Sequence, residues 1–311
     1  MTYERPVALR RCLTSIHRLD YPAWAYELIV VDDGSFSKDS ISIEQFCPNV
    51  RWRYQWIPHQ GVSAARNTGL ALAHGDRIAF LADDYVLPAD YLSQADSFFQ
   101  NYPEAQVLTF NVKSVGSSPA RHIQQLYHDL VLLQNAGAMP DENGIIKTFR
   151  LPASRAAIFK RGVFDSVGPF NESLKAGEDG ELGQRLAARD IPVYFMHKYY
   201  IDHHEEKGFR EFLEQRKTYA TSYYKVSRLA QRKSVIHKPR WTLGRCMQIV
   251  LGKTVAWASV SWKYGKFLRF FFLWPGLALF LFRFYVTLCR LERIDFRKAT
   301  LRRAKRTLEQ N

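Results

Sequence analysis

The sequence predicts an α/β fold in which helices cover both faces of a mixed, mainly parallel sheet. Short apolar runs alternate along the chain with amphipathic stretches and short connections, and this alternation is typical of such folds. Two of the apolar runs end in paired aspartates, Asp32-Asp33 and Asp83-Asp84. Because ligands bind beyond the carboxyl ends of the strands in sheets of this kind, we expect the functional site at that edge.

The individual elements are predicted from hydrophobic periodicity and turn residues. An apolar stripe predicts a helix at 5–18, and Pro88 is expected to open a later helix because proline is favoured in a first turn. Further helices are expected at 62–74, 177–188 and 209–232, and strands at 27–31, 51–57, 77–81, 107–112 and 193–196. Residues 113–150 are expected to be loops around one helix.

The charge of the chain is unevenly distributed. Its 311 residues contain 44 Lys/Arg and 30 Asp/Glu, a formal net charge of +14. From residue 207 onward there are 24 basic and 5 acidic residues, net +19, so residues 1–206 have a net charge of −5. This split indicates an acidic catalytic part and a basic anchoring part rather than a nucleic-acid-binding domain. We expect a catalytic domain at 1–235 and a basic, aromatic-rich helical tail at 236–311.

Cysteine usage indicates a reducing compartment. The four cysteines are scattered, with no CxxC pair and no spacing typical of metal ligands, so neither a disulfide framework nor a zinc module is expected. The first eleven residues contain no apolar signal region, and secretion by that route is therefore not indicated.

Paired carboxylates are the strongest functional signal from the residues themselves. Besides the two aspartate pairs, Glu178-Asp179 stands at a predicted helix start. Taken singly, each pair is more simply explained as a turn or an N-cap. Three pairs at one edge of a sheet repel one another, which favours a divalent cation or a cationic ligand between them.

Several motifs follow one another in a characteristic order. They are the segments at 3–13, 27–35 (ELIVVDDGS), 61–69 (GVSAARNTG), 80–84 (FLADD) and 177–186 (GEDGELGQRL). In this order and spacing the chain resembles the family 2 glycosyltransferases, whose GT-A fold is Rossmann-like, over roughly residues 2–230. The resemblance implies transfer of a sugar from a nucleotide sugar, with a UDP-sugar expected, and usually with inversion at the anomeric carbon.

The resemblance also assigns roles to residues of the nucleotide-sugar site. Asp33 would hydrogen-bond the nucleobase and Asp83 would meet the ribose. The other residues implied for this site are Thr2, Tyr3, Arg66 and Asn67. From the residues alone, Arg66 is equally well explained as a helix-capping or ion-pairing group.

A metal and a general base are implied by the same resemblance. Asp84 would bind Mg²⁺ or Mn²⁺ on the diphosphate, and His203 would complete the metal shell. Asp179 would take the proton of the acceptor hydroxyl, with Glu178 beside it. Since adjacent side chains on a strand face opposite ways, at most one of His203 and His204 should point into the site. A packing role for His203 is an equal alternative.

The chain departs from the family at two places. The family begins with an apolar strand just before the element at Thr2-Tyr3, so we expect that strand to be encoded upstream of a start codon placed too late, with a truncated copy as the alternative. In addition, Ala82 replaces the first carboxylate of the usual Asp-x-Asp triplet. Because Asp84 remains, we interpret this second departure as variation rather than inactivation.

The tail contains two apolar stretches, at 243–262 and 267–289. The uncharged core of the second, 270–282, has only 13 residues, whereas a span needs about 20. A single crossing would also put the 8 Lys/Arg of 290–306 on the wrong side for the positive-inside rule. We therefore expect interfacial or re-entrant helices at the cytoplasmic face of the cell membrane, with a helical cap on the catalytic domain as the alternative.

The prediction is thus a membrane-associated, metal-dependent glycosyltransferase. Its acceptor is expected to be a glycan or a lipid-linked molecule in polysaccharide or glycoconjugate synthesis. The first alternative is a non-catalytic relative that binds nucleotide sugars or partner enzymes at the membrane. A nucleic-acid-binding protein would need a basic docking module that the tail lacks. A haloacid-type phosphatase is disfavoured by the residues after Asp32-Asp33.

Overall fold

The structure is a computed structural model that describes most of the chain. It describes residues 1–36, 43–116, 121–126 except 124, 140–204 except 150, 152–155 and 175, 208–224 except 209, 212, 213 and 216, 243–263, 274–279 except 276 and 277, and 281–291. The chain divides into two compact units, residues 1–206 and 207–311, and each is described by itself. The predicted boundary between 235 and 236 lies outside the described residues and stays a prediction.

The first unit is an α/β fold, as predicted. Its strands are β1 (Glu27–Asp32), β2 (Arg51–Trp56), β3 (Arg77–Phe80), β4 (Tyr85–Val86), β5 (Val107–Val115), β6 (Ile145–Thr148), β7 (Ala157–Lys160) and β8 (Val193–His204). Its helices are α1 (Pro6–His17), α2 (Ile43–Phe46), α3 (Val62–Leu72), α4 (Tyr91–Asn101), α5 (Gly162–Val167) and α6 (Glu178–Ala187). These bounds confirm the predicted helices at 5–18, 62–74 and 177–188 and the strands at 27–31, 51–57, 77–81 and 107–112.

The strands form two sheets. β1 and β2 form a parallel pair, and the other six strands form a sheet in the order β3-β7-β5-β8-β4, with β6 also pairing with β8. β5 and β8 are parallel, whereas β3–β7, β5–β7, β4–β8 and β6–β8 are antiparallel. The prediction of a mainly parallel sheet is therefore wrong, because β7 runs antiparallel between β3 and β5. The sheet is mixed.

Buried apolar side chains explain the positions of the helices. Helix α1 starts with Pro6, which suits a first turn, and buries Leu9, Cys12, Leu13 and Ile16 in the core cluster that contains Val30 of β1 and part of α4 and β5. Helix α6 buries Leu182 and Leu186 completely, in a second cluster with β3, β7 and α5. Both helices thereby hold their ends at the edge of the sheet where the predicted site lies.

Three predicted elements differ from the structure. Helix α4 begins at Tyr91 rather than at Pro88, because the Pro88 carbonyl accepts the Tyr91 N–H (3.1 Å) in a turn that precedes the helix. Residues 113–150 include the end of β5 and all of β6, which pairs with β8. Strand β8 continues from the predicted segment 193–196 to His204, because β5 and β4 pair with its second half.

The second unit contains a long helix, α7 (Leu243–Lys263), and helical residues at 210–224 and 281–291, the former with gaps. The predicted helix at 209–232 is described only as far as residue 224. Along α7, Met247, Leu251 and Val255 are exposed at 46%, 60% and 71%, and their spacing of four places them on one face. Among the described residues, none of the helices is both long enough and apolar enough to span a membrane.

Candidate active site

A cluster of polar side chains, all buried except the partly exposed Arg5, lies where β3 ends and β4 begins. We call Thr2, Arg5, Asp83, Asp84 and His203 the aspartate cluster. The Thr2 hydroxyl donates to Asp83 Oδ2 (2.8 Å), and Nη1 of Arg5 donates to Asp83 Oδ1 (2.9 Å) and to Asp84 Oδ2 (2.8 Å). One guanidinium therefore bridges both carboxylates.

The two aspartates respond differently to this environment. For Asp83, burial is the largest influence and raises the pKa above its ordinary value, although Arg5 opposes it. For Asp84, burial also disfavours the charged form, but His203 and Arg5 together outweigh it and hold the pKa below its ordinary value. Asp84 is thus the member of the pair whose ionised form is favoured, which suits a metal ligand.

His203 faces the cluster and His204 does not. The pairing of β4 with β8 sets Tyr85 opposite His203, and their rings stack at 4.8 Å. His203 Nε2 lies 3.3 Å from Asp84 Oδ2, whereas His204 Nδ1 lies 3.1 Å from Nη1 of Arg11. The two histidine side chains thus lie on opposite sides of the strand, as expected, and His203 is the one beside Asp84. Its predicted role as a metal ligand stays a prediction.

The aspartate cluster fits a divalent metal. Asp84 Oδ1 is buried and, within the described part of the chain, accepts no hydrogen bond; such an oxygen suits a hard cation. The described residues contain no group of three or more His, Cys, Asp or Glu side chains arranged to hold a metal ion. Mg²⁺ usually takes one or two protein carboxylates together with phosphate oxygens and water. Asp84 and His203 would hold the ion in that way.

A second set of contacts surrounds Asp33, just after β1. The Asp33 carboxylate accepts the backbone N–H groups of Gln60 (2.8 Å) and Gly61 (2.9 Å), and His59 Nδ1 lies 3.0 Å from it. The His59 ring stacks on the half-exposed Tyr3 ring at 4.2 Å. Asp33 therefore fixes the loop at 57–61 and so positions Tyr3. A hydrogen bond from a nucleobase to Asp33, as predicted, would have to share the carboxylate oxygens that already accept these backbone N–H groups.

Glycine is required beside Asp33. Gly34 has φ +94°, and a Cβ built there would lie 2.7 Å from the backbone nitrogen of His59. No side chain fits such a close approach of two backbones. The preceding residue, Asp32, has a structural role, because it accepts the Ser35 N–H (2.8 Å) and the Tyr54 hydroxyl (2.7 Å).

The third set of contacts joins α3 to α6. We call Arg66, Glu178 and Asp179 the arginine cluster. Nη1 of the buried Arg66 donates to Glu178 Oε1 (2.6 Å) and to Asp179 Oδ1 (3.1 Å), and its guanidinium lies 5.0 Å from the centre of the Phe170 ring. Arg66 therefore contacts the predicted catalytic pair. Its predicted contribution to the nucleotide pocket stays a prediction.

Burial and charge distinguish the two acids of the arginine cluster. Glu178 is 7% exposed, and burial, followed by the neighbouring Asp179, raises the pKa of its carboxyl even though Arg66 opposes this. The Asp179 side chain keeps 20% exposure. Both residues stand in the first turn of α6, where the helix dipole favours negative charge. Asp179 is thus the more accessible acid of the two.

Asn67 supports this part of the fold. Its side-chain amide donates to the Phe170 carbonyl (2.9 Å) and accepts the Phe170 N–H (2.9 Å). Asn67 therefore attaches the segment between α5 and α6 to α3. Its predicted contribution to the nucleotide pocket stays a prediction.

Two residues of the site were not assigned roles from the sequence. Arg5 contacts carboxylates 78 and 79 positions further along the chain, and His59 meets Asp33 and Tyr3 across a loop. A local pattern carries no signal for either contact, because both depend on tertiary packing. A weak signal for Arg5 is its place inside the motif at 3–13.

The first part of the chain matches a known protein family. A family model described as "Glycosyl transferase family 2" matches residues 1–168, which is more than half of the chain. The chain belongs to glycosyl transferase family 2. Within the matched region lie Asp33, Arg66, Asp83 and Asp84, whereas the acids of α6 and His203 lie beyond it.

Individual relatives agree with this family. The chain is 27% identical over 210 residues to "Glycosyltransferase GlyA" of Streptococcus pneumoniae serotype 4, covering 64% of this chain and 29% of that protein. It is 25% identical over 266 residues to "PGL/p-HBAD biosynthesis glycosyltransferase" of Mycobacterium bovis, covering 82% and 94%. The chain spans less than half the length of several curated relatives that it matches.

Solved structures show that this family 2 chain has a fold of the GT-A type. The mannosyltransferase PcManGT of Pyrobaculum calidifontis, solved in complex with GDP-Man and Mn²⁺, superposes with a TM-score of 0.53 at 20% identity, covering 94% of this chain and 82% of that one. At this identity the likeness shows the fold alone.

Replacement of Arg66 tests the electrostatics of the arginine cluster. We expect Arg66→Gln to lower the free energy of unfolding by about 3–5 kcal/mol at pH 8, because it leaves buried carboxylates uncompensated. Without the guanidinium the pKa of Glu178 rises further above the ordinary value of about 4.3, so the folded state binds the proton more tightly than the unfolded state. The deficit relative to the wild type should therefore shrink as the pH falls from 8 to 5.

The measurement is urea unfolding at both pH values. Adding Glu178→Gln to Arg66→Gln should restore part of the stability and weaken the pH dependence. Arg189→Gln, at an exposed arginine just after α6, is the matched control and should change little. Equal deficits at pH 5 and pH 8, with no recovery in the double variant, would contradict the assignment.

Proposed function

We propose that this family 2 chain transfers a sugar from a nucleotide sugar to a hydroxyl group of a glycan or a lipid-linked acceptor, with inversion at the anomeric carbon, in polysaccharide or glycoconjugate synthesis. The observation that carries the proposal is the arginine cluster. It keeps one accessible carboxylate, Asp179, in a fixed position beside a buried partner. Such a carboxylate suits the removal of a proton from an acceptor hydroxyl.

The reaction can be written with the residues of the chain. Asp179 accepts the proton of the acceptor hydroxyl as that oxygen forms a bond to the anomeric carbon. The bond between that carbon and the diphosphate oxygen breaks, and the electron pair leaves with the nucleoside diphosphate. Because the acceptor attacks directly and no residue forms a covalent bond with the sugar, the configuration inverts.

Arg66 supports the proton transfer through its position. Its bond to Asp179 (3.1 Å) holds the carboxylate in one orientation. Its shorter bond to Glu178 (2.6 Å) compensates the more deeply buried acid. Glu178 is thus a positioning residue in this proposal, and Asp179 is the catalytic base.

The aspartate cluster is proposed to receive the diphosphate of the donor. Asp84 and His203 would hold Mg²⁺ or Mn²⁺, which when bound would neutralise the charge that develops on the leaving group. Asp83, which accepts a hydrogen bond from Thr2, would accept another from the ribose. Arg5 would have to share Asp84 with the ion or turn away from it, since its Nη1 donates to Asp84 Oδ2.

The donor is expected to be a nucleotide sugar, with UDP-sugars the first to test. Tyr3 and His59 offer a stacked aromatic surface next to Asp33, which suits a planar base. The mannosyltransferase of similar fold is solved with GDP-Man, and this supports including GDP-sugars in the same screen.

Replacement of Asp179 tests the proposed reaction. We expect Asp179→Asn to lower kcat for sugar transfer by about 10²–10⁴-fold, because the amide cannot accept the proton. Binding of the nucleoside diphosphate should stay within about threefold of the wild type by calorimetry, since that site is built from other residues. Asp190→Asn, at an exposed aspartate after α6, is the control. A variant that retains its turnover, or a wild type that binds nucleotide but transfers no sugar to any acceptor, would refute the proposal.

Replacement of Asp84 tests the proposed metal site. We expect Asp84→Asn to weaken Mn²⁺ binding at least tenfold in the presence of UDP, because the amide lacks the charge that attracts the ion. Electron paramagnetic resonance of free Mn²⁺ measures this directly and without turnover. Asp76→Asn, at an exposed aspartate, should bind Mn²⁺ like the wild type. Unchanged Mn²⁺ binding by the Asp84 variant would rule out the site.

The tail is proposed to attach the enzyme to the cytoplasmic face of the cell membrane. Helix α7 exposes an apolar stripe of Met247, Leu251 and Val255, and the chain from residue 207 onward has a net charge of +19. An exposed apolar stripe within a basic segment favours an interfacial position on anionic lipid. An enzyme held there would meet lipid-linked acceptors.

A matched pair of valines tests the attachment. Val255 and Val7 are exposed to almost the same extent, 71% and 70%, and both lie on helices. We expect Val255→Asp to lower the partition onto phosphatidylglycerol vesicles roughly tenfold, because it removes an aliphatic group that would be buried in the lipid and adds a negative charge that the anionic lipid repels. Val7→Asp should not lower the partition. Sedimentation with vesicles measures the bound fraction. Equal effects of the two substitutions would argue against the stripe as the contact surface.

A further inference from the structure

Two arginines each bridge a pair of adjacent acids, but the two differ in burial. Nη1 of Arg5 donates to Asp83 Oδ1 (2.9 Å) and to Asp84 Oδ2 (2.8 Å), just as Nη1 of Arg66 donates to the two acids of α6. The Arg66 side chain is 3% exposed and lies against the Phe170 ring, whereas the Arg5 side chain is 31% exposed. The Arg5 guanidinium can therefore move into solvent, and that of Arg66 cannot.

The backbone of Arg5 is fixed although its side chain is partly exposed. Arg5 is the N-cap of α1, and its carbonyl accepts the Leu9 N–H (3.0 Å). The next residue, Pro6, has a restricted φ, and the Glu4 N–H before it donates to Ser35 Oγ (2.9 Å). Release of the guanidinium from the two carboxylates thus requires only rotation about the side-chain bonds of Arg5.

Each carboxylate keeps a further contact when Arg5 turns away. The Thr2 hydroxyl donates to Asp83 Oδ2 (2.8 Å), and His203 Nε2 lies 3.3 Å from Asp84 Oδ2. A hydroxyl group carries no charge, however, so it does not replace the positive charge that Arg5 brings to the pair. Two adjacent buried carboxylates would then need another cation between them.

Arg5 and a divalent ion compete for the same acid. Arg5 binds Asp84 Oδ2, while Oδ1 of this carboxylate is the oxygen that suits a hard cation. Two cations on one carboxylate lie within a few ångströms of each other and repel. A nucleoside diphosphate adds negative charge at this place, which compensates the ion and the guanidinium together. The competition is therefore strongest before the diphosphate binds.

We propose that Arg5 is a built-in counter-ion of the metal site. It neutralises Asp83 and Asp84 in the protein without ligands and opposes the binding of a divalent ion on its own. It turns away from Asp84 when the ion enters together with a nucleoside diphosphate. This inference rests on the metal site of the proposed function and adds its regulation: the ion binds weakly alone and tightly with the donor.

Mn²⁺ binding without nucleotide tests this role directly. We expect Arg5→Gln to bind Mn²⁺ at least about tenfold more tightly than the wild type, because a repelling charge beside the ion is removed. With saturating UDP the two proteins should bind Mn²⁺ within about threefold of each other, so the effect of UDP on Mn²⁺ affinity is smaller in the variant. Electron paramagnetic resonance of free Mn²⁺ measures both affinities. Arg18→Gln, at an exposed arginine just after α1, is the control and should bind like the wild type.

Thermal unfolding provides a second readout that does not depend on turnover. In EDTA, Arg5→Gln should have a Tm at least about 5 °C below that of the wild type, because the buried carboxylates lose their cation. Mn²⁺ alone should restore most of this loss, since it binds the folded state and replaces the missing charge. Arg66→Gln also lacks a bridging arginine but lies outside the metal site, and Mn²⁺ should not restore its Tm. If Arg5→Gln is unfolded in EDTA, Mn²⁺ should refold it, as near-UV circular dichroism would show.

The possible outcomes separate the role of Arg5 from the metal site itself. Arg5→Lys keeps the positive charge, so its Mn²⁺ affinity without UDP should be closer to that of the wild type than the affinity of Arg5→Gln. Unchanged or weaker Mn²⁺ binding by Arg5→Gln without UDP, in the presence of a wild type that binds Mn²⁺ with UDP, would overturn the role of Arg5 alone. The same conclusion follows where Mn²⁺ neither stabilises nor refolds this variant. A wild type that binds no Mn²⁺ even with UDP would overturn both proposals.

Discussion

Two pairs of adjacent carboxylates, each bridged by a single arginine, determine how the first unit must fold. Asp83 and Asp84 share Arg5, and the two acids of α6 share Arg66. Like charges this close in a buried position are strongly unfavourable without a cation between them. The N-terminal segment that carries Arg5 must therefore lie at the end of β3, and the start of α6 must lie beside Arg66 of α3.

The acids of the site can be predicted from the sequence, because they follow apolar runs or begin a helix. The arginines that pair with them cannot be predicted in this way, because such pairs join distant parts of the chain; Arg5 lies 78 residues from Asp83. The same holds for the fold. Strands with a strong local pattern, such as β1, are predictable, whereas the antiparallel insertion of β7 between β3 and β5 depends on long-range pairing. Local patterns carry no information about strand direction.

Ala82 fits the same electrostatic argument. It is packed against the core cluster that contains α1, and its carbonyl accepts the Tyr85 N–H (3.3 Å) at the turn into β4. A carboxylate at this position would add a third acidic group next to two that already share the Arg5 guanidinium. The alanine avoids this additional acid and leaves Asp84, the acid whose pKa is lowered, in place.

Thr2 couples the surroundings of Asp33 to the aspartate cluster. Asp33 is carried by the end of β1, and Asp83 follows β3, so the separation of the proposed nucleobase and ribose contacts depends on how firmly these two strands are joined. Thr2 links them, since its backbone pairs with β1 and its hydroxyl holds Asp83.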